Sequence, residues 1–192
     1  MLKNLKVGLG ITGSFCNLSK VKPEIDMLKK EGVDRIIPIV SYSILNESNR
    51  FGTPDETLKL LKEETGEDVV DTISKAEPIG PQNLVDIIVV APCTGNTIAK
   101  LANGITDTPV LMAIKGHIRN NKPVVLGVST NDGLGANGEN ILKLLNTKNI
   151  YFIPFTQDDP NKKPKSLVYD YTKLVDTMKL ALENKQIVPL VI

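Results

Sequence analysis

Residues 86–97, Asp86-Ile87-Ile88-Val89-Val90-Ala91-Pro92-Cys93-Thr94-Gly95-Asn96-Thr97, hold an apolar run that ends at a proline and gives way to small and hydroxylic residues. Its apolar residues are mostly β-branched, which predicts a strand from Asp86 to Ala91 covered on both faces. On either side, Leu5–Ile11, Arg35–Val40, Pro123–Val128 and Ile150–Ile153 read as further buried strands, and Val69–Ile73 as a short one. Val21, Ile25 and Leu28 fall at helical spacing within Val21–Lys30. Thr53-Pro54-Asp55-Glu56 opens a helix that runs to Glu64 and stops at Gly66, with Thr53 as its cap and Pro54 in its first turn. Ile98–Leu101, Val110–Ile118, Ile141–Leu145 and Leu167–Leu182 also read as helices, and Glu77–Pro81 as a loop.

Buried strands alternating with helices predict an α/β protein with a three-layer, Rossmann-like (flavodoxin-like) parallel sheet and helices on both faces. The 192 residues suit one domain over 1–192, with a mobile loop expected at 156–165, which is rich in Asp, Pro and Lys. Lys and Arg number 23 against 22 Asp and Glu, which argues against a general nucleic-acid or membrane-surface binder. Two distant cysteines and one histidine give neither a disulfide framework nor a standard zinc set. No apolar run approaches the roughly 18 residues of a membrane span, and the N-terminus lacks the apolar core of a signal peptide. A reduced, cytoplasmic protein without a metal is expected.

Ligands of such sheets bind at the carboxyl ends of the strands. The first loop there, Gly8-Leu9-Gly10-Ile11-Thr12-Gly13-Ser14, formally matches a dinucleotide fingerprint. The acidic residue that would hold a ribose is replaced by Ser41 at the end of the second strand, which favours a mononucleotide phosphate over NAD. Thr12, Gly13 and Ser14 could converge on that phosphate, which is the favoured reading; the alternative is a tight turn with a serine cap. Asn96 and Thr97 offer donors and acceptors to the edge of a ring, while Thr94 or Asn96 could cap the following helix.

Thr12-Gly13-Ser14, together with Ala91-Pro92-x-Thr94-Gly95-Asn96-Thr97-x-Ala99-Lys100-x-Ala102-Asn103-Gly104, resembles the homo-oligomeric flavin-containing cysteine decarboxylase family. The resemblance implies FMN, with Ser14 and Ser41 on its phosphate and Pro92, Cys93, Thr94, Asn96 and Thr97 near its ring; Thr12, Gly13 and Ser129 join the same set. It also implies a homo-oligomer, a trimer or a multiple of one. Two departures weaken decarboxylation. Asp71-Thr72-Ile73-Ser74-Lys75-Ala76 lacks the family's histidine, and Val128-Ser129-Thr130-Asn131-Asp132-Gly133-Leu134 keeps only the Asn of its substrate clamp.

Asn49-Arg50-Phe51-Gly52, Lys75-Ala76-Glu77-Pro78-Ile79-Gly80-Pro81, Ser129-Thr130-Asn131-Asp132-Gly133-Leu134-Gly135 and Phe152-Ile153-Pro154-Phe155-Thr156-Gln157-Asp158-Asp159-Pro160 resemble the B-subunit family of the dipicolinate synthases of endospore-forming bacteria, nearly end to end. This implies a flavoprotein subunit working with the A subunit of dipicolinate synthase in the mother cell during sporulation, oxidising dihydrodipicolinate to dipicolinate. A dianionic substrate needs cations, for which Arg50, Lys115, Arg119 and Lys122 are candidates, and Asn131 would touch it. Arg50 is favoured because its planar fork can grip a carboxylate.

His117 reads either as an acid–base group or, preferably, as a cation at a helix C-terminus. Cys93 reads as a small buried residue in preference to a nucleophile, since no base partner is evident. No catalytic residue is assigned. Three readings stand: the FMN-binding subunit of an oxidoreductase, a non-catalytic scaffold for the A subunit, and a flavin-dependent decarboxylase or prenyltransferase.

Overall fold

The computed structural model describes residues 2–192. In chain order the elements are β1 (Lys6–Ile11), α1 (Val21–Lys30), β2 (Arg35–Val40), α2 (Tyr42–Asn46), α3 (Pro54–Thr65), α4 (Ile73–Ala76), β3 (Ile87–Cys93), α5 (Gly95–Ala102), α6 (Pro109–Arg119), β4 (Val124–Thr130), α7 (Gly138–Leu145), β5 (Ile150–Phe152), β6 (Phe155–Asp159), β7 (Lys163–Tyr169) and α8 (Leu174–Leu182), with short 3-10 turns at Phe15–Lys20, Glu77–Ile79 and Tyr171–Lys173.

β2, β1, β3, β4 and β5 pair in parallel in that spatial order, giving the expected flavodoxin-like α/β core. Every residue of β3 is buried, as its unbroken apolar run requires of a central strand. One apolar cluster, including Val90, Val110, Ile114 and Leu144, fills one face. A second, including Leu9, Ile25, Leu28 and Met178, fills the other. The expected caps form: Thr53 and Glu56 make a reciprocal capping box, and Gly66 ends α3 at φ 71°.

The sheet is mixed, whereas the sequence pattern predicts a parallel one. β7 pairs antiparallel with the last residues of β4, through Ser129 and Thr130, and with β6 along its other edge. Residues 156–165, expected as a loop, therefore belong largely to a β-hairpin. The expected helix over Leu167–Leu182 begins only at Leu174, because Leu167–Tyr169 completes β7. Leu167, Tyr171 and Leu174 imitate helical spacing. Pairing with β4 and the aromatic and β-branched character of Val168 and Tyr169 win over it. Val69–Ile73 is likewise no strand: Val70 makes one isolated bridge to Ile39, and Ile73 starts α4. The expected loop at Glu77–Pro81 opens with a 3-10 turn.

Gly80 lies directly on Gly116 of α6, where a Cβ on Gly80 would come within 2.6–2.7 Å of Gly116 backbone atoms. Rigid backbone cannot yield as a flexible side chain does, so Gly80→Ala should overpack this crossing. The expected result is a loss of about 1–3 kcal/mol in urea unfolding. An unchanged midpoint would show that the two backbones can move apart freely.

Candidate functional site

The loops after β1, β3 and β4 meet at the carboxyl edge of the sheet, around a cavity of about 620 Å³. That size falls within the roughly 300–1,000 Å³ usual for small-molecule sites. A smaller adjoining cavity of about 130 Å³ lies beside Ser41, Ser43, Thr97 and Lys100, and Thr94 lines both.

Thr12 joins two of these loops. Its hydroxyl donates to the Pro92 carbonyl at 2.8 Å and accepts from the Thr94 N–H at 2.9 Å. The Thr12 side chain is thus buried and committed to structure, so it positions the site and is not free to bind a ligand. The register of β3 against β4 shifts between Val90 and Cys93, where Pro92 supplies no N–H to the ladder. The chain leaves the sheet there, and Thr94 caps α5 by accepting from the Thr97 N–H at 3.3 Å. Asn96 remains exposed, with no part in the cap.

Ser14 makes no side-chain capping bond, which sets aside the serine-cap reading. Its hydroxyl lies 2.7 Å from that of Ser129, and the buried Asn17 Nδ2 donates to both, at 3.1 and 2.6 Å. Gly13 matters by its size. A Cβ there would meet Ser43 Cβ at 2.8 Å, so glycine lets the β1 loop close against the segment after β2. The third loop is stiffened by Asp132, which accepts from Thr130 Oγ1 and from Asn137 Nδ2 at 3.0 and 2.9 Å. These bonds, that from Thr130 above all, hold its carboxyl below the ordinary range.

The residues singled out in the sequence divide between the two cavities. Gly13, Ser14, Arg50, Thr94, Ser129 and Asn131 line the larger. Ser41, Asn96 and Thr97 line the smaller with Thr94. Pro92 and Cys93 line neither; Cys93 is fully buried in the core, and burial pushes its thiol far above the ordinary range. Lys115 is exposed on α6 and lines neither cavity, because the core-facing side of that helix is taken by Leu111, Ile114 and His117. Lys122 donates to the Val85 carbonyl at 2.7 Å, at the amino end of the strands, and Arg119 ends α6 toward the same end.

His117 is buried, with Nε2 3.2 Å from the Pro123 carbonyl. Burial, followed by the charge of Lys122, lowers its pKa to about 4. It is therefore a neutral core residue and not the expected helix-terminal cation.

Asn17, Asp158, Lys163 and Ser166 were not singled out in the sequence, yet all line the larger cavity. Asn17 is legible only as a polar residue in an apolar segment. The other three reach the cavity through the pairing of β6 and β7 with the end of β4.

A family model described as Flavoprotein matches residues 1–179. The B subunit of dipicolinate synthase of Bacillus subtilis (strain 168) is 48% identical over 191 residues, covering 100% of this chain and 95% of that protein. The crystal structure of the dipicolinate synthase B subunit from Bacillus halodurans superposes with a TM-score of 0.90 at 45% identity, covering 100% of this chain and 97% of that one. The FMN-dependent cysteine decarboxylase SpaF shares the fold at a TM-score of 0.70 and 19% identity, over 95% of this chain and 98% of its own.

Proposed function

The chain belongs to the flavoprotein family and is a homologue of the dipicolinate synthase B subunit, and from that premise we propose that it is the FMN-binding B subunit of a dipicolinate synthase. On this reading it is an oxidoreductase subunit that works with the A subunit to oxidise dihydrodipicolinate to dipicolinate. It works as a homo-oligomer, a trimer or a multiple of one, in the mother-cell cytoplasm of an endospore-forming bacterium. No helix among the described residues is long and apolar enough to cross a membrane.

The observation that carries the reading is Ser41, whose hydroxyl oxygen is buried without a hydrogen-bond partner. An unsatisfied buried hydroxyl costs about 1–3 kcal/mol, and a ligand oxygen in the cavity beside it would recover that loss. A phosphate fits the chemistry of Ser41 and Ser43 from the smaller cavity and of Ser14 from the larger, where the two meet at Thr94. Thr94, Thr97, Ser129 and Asn131 offer hydroxyls and an amide to the rest of the cofactor and to the substrate.

FMN, when bound, supplies the two-electron acceptor that aromatising the dihydropyridine ring requires. The protein's part is to hold and orient the reactants. The positions at hand suit that role, since they are mostly hydroxyls, amides and backbone and include no nucleophile–base pair.

Gel filtration of the purified chain after incubation with FMN tests the reading: a visible flavin band should co-elute with the protein. Ser41→Ala should weaken FMN retention about tenfold, in line with one hydrogen bond to a charged group. The same change should raise the stability of the flavin-free protein by about 1 kcal/mol, since it removes an unpaired buried hydroxyl. A chain that retains no flavin would overturn the proposal in favour of a scaffold for the A subunit.

A further inference from the structure

Three charged residues line the larger cavity: Arg50, Asp158 and Lys163. They come from separate parts of the chain. Arg50 lies between α2 and α3, Asp158 on β6 and Lys163 on β7. Lys163 Nζ pairs with Asp158 Oδ2 at 2.6 Å. Arg50 has no carboxylate partner among the described residues; its guanidinium lies 4.8 Å from the centre of the Phe51 ring. The half-buried Lys20 also feels the charge of Asp158. The cavity thus carries two cations and one internal anion.

The pair between Lys163 and Asp158 is an open one, with side chains 52% and 39% exposed. Such pairs contribute only about 0–1 kcal/mol, so a competing carboxylate can take Lys163 at little cost. Arg50 can accept a second carboxylate through its planar fork. A ligand with one negative charge satisfies a single cation, whereas a ligand with two satisfies both.

We propose that Lys163 and Arg50 bind the two carboxylates of a planar pyridine dicarboxylate, and that Asp158 is the internal counter-ion which the substrate displaces from Lys163. The inference rests on the functional reading above and adds to it the residues that select a dianion. It moves the second cationic contact from the expected Lys115 to a residue delivered by the hairpin.

Calorimetric titration of the FMN-loaded full chain with pyridine-2,6-dicarboxylate, and with pyridine-2-carboxylate as the single-charge comparison, tests it. Lys163→Gln and Arg50→Gln should each weaken dicarboxylate binding at least tenfold and monocarboxylate binding less, with FMN retention unchanged. Asp158→Asn should act in the opposite direction and tighten dicarboxylate binding severalfold, because Lys163 loses its competitor. If the pair serves only to hold the hairpin, Lys163→Gln and Asp158→Asn will both weaken binding, and that result overturns the proposal. So does the absence of dicarboxylate binding by the FMN-loaded wild type, or wild-type affinity in Lys163→Gln; each leaves the flavin reading standing. Failure of the wild type to retain FMN is a separate readout and removes the flavin reading itself.

Discussion

Ser14→Asp is expected to purify without flavin and to stay colourless when FMN is added. The Ser14 hydroxyl sits in the β1 loop, 2.7 Å from Ser129 Oγ and within reach of the Asn17 amide. An aspartate can still accept from Asn17, so the loop keeps a partner while gaining a negative charge. Two like charges about 4 Å apart repel by about 4 kcal/mol at the effective dielectric near a protein surface. That corresponds to roughly a thousandfold loss of affinity for a phosphate. Ser14→Asn separates charge from bulk, since it adds similar volume without the charge and should lose far less. Flavin absorbance after gel filtration, read beside the melting temperature of each variant, gives the answer. Full flavin content in Ser14→Asp would remove Ser14 from the phosphate site.

The second large effect concerns stability. Glu24 of α1 is fully buried, with Oε1 accepting from the Tyr169 hydroxyl at 2.8 Å and Oε2 without a partner. Burial raises its pKa to about 8, against the lowering effects of the Tyr169 bond and the Lys20 charge. The folded protein therefore keeps a proton that the unfolded chain releases near its ordinary carboxylate value. The stability associated with this group is fully present below about pH 4.5 and is lost progressively as the pH rises to about 8. Over the whole window the loss is on the order of 5 kcal/mol, and about 3 kcal/mol of it has gone by pH 7.

Glu24→Gln removes the titration while keeping an acceptor for Tyr169. Its stability should lack the wild type's fall with rising pH and keep only the rise up to about pH 6.5 that buried, neutral His117 gives both proteins. At pH 7 it should exceed the wild type by about 2 kcal/mol, the unpartnered amide N–H offsetting the rest. Urea unfolding at several pH values across that range measures both quantities. A variant with the wild-type slope would show that another group carries the pH dependence.

Much of the core was legible because it rests on local pattern. The all-apolar strand from Ile87 could only be a central strand, and the Thr53-Pro54-Asp55-Glu56 start fixed the beginning of α3 within a residue. The site was legible in its loops and less so in its atoms. Ser14 and Ser129 were both singled out, but nothing local shows that their hydroxyls touch across 115 positions of sequence. Thr12 looked like a ligand residue and instead joins the β1 and β3 loops, since only the folded chain sets Pro92 and Thr94 beside it. Lys115 looked like a substrate cation and faces away from the cavity.

Sequence alone therefore specified the order of buried strands and helices, and the hydroxyl-rich loops at the strand ends. Periodicity, caps and turn residues act over a few positions and leave their mark there. The folded arrangement was needed to show that Leu167–Tyr169 is strand and not helix, that Lys163 reaches the cavity, and that Ser41 is buried without a partner. Those outcomes depend on which distant segments pair with the end of β4 and on which atoms that pairing buries. Such long-range pairing leaves no local signal, and the cavity at the edge of the sheet is shaped by it.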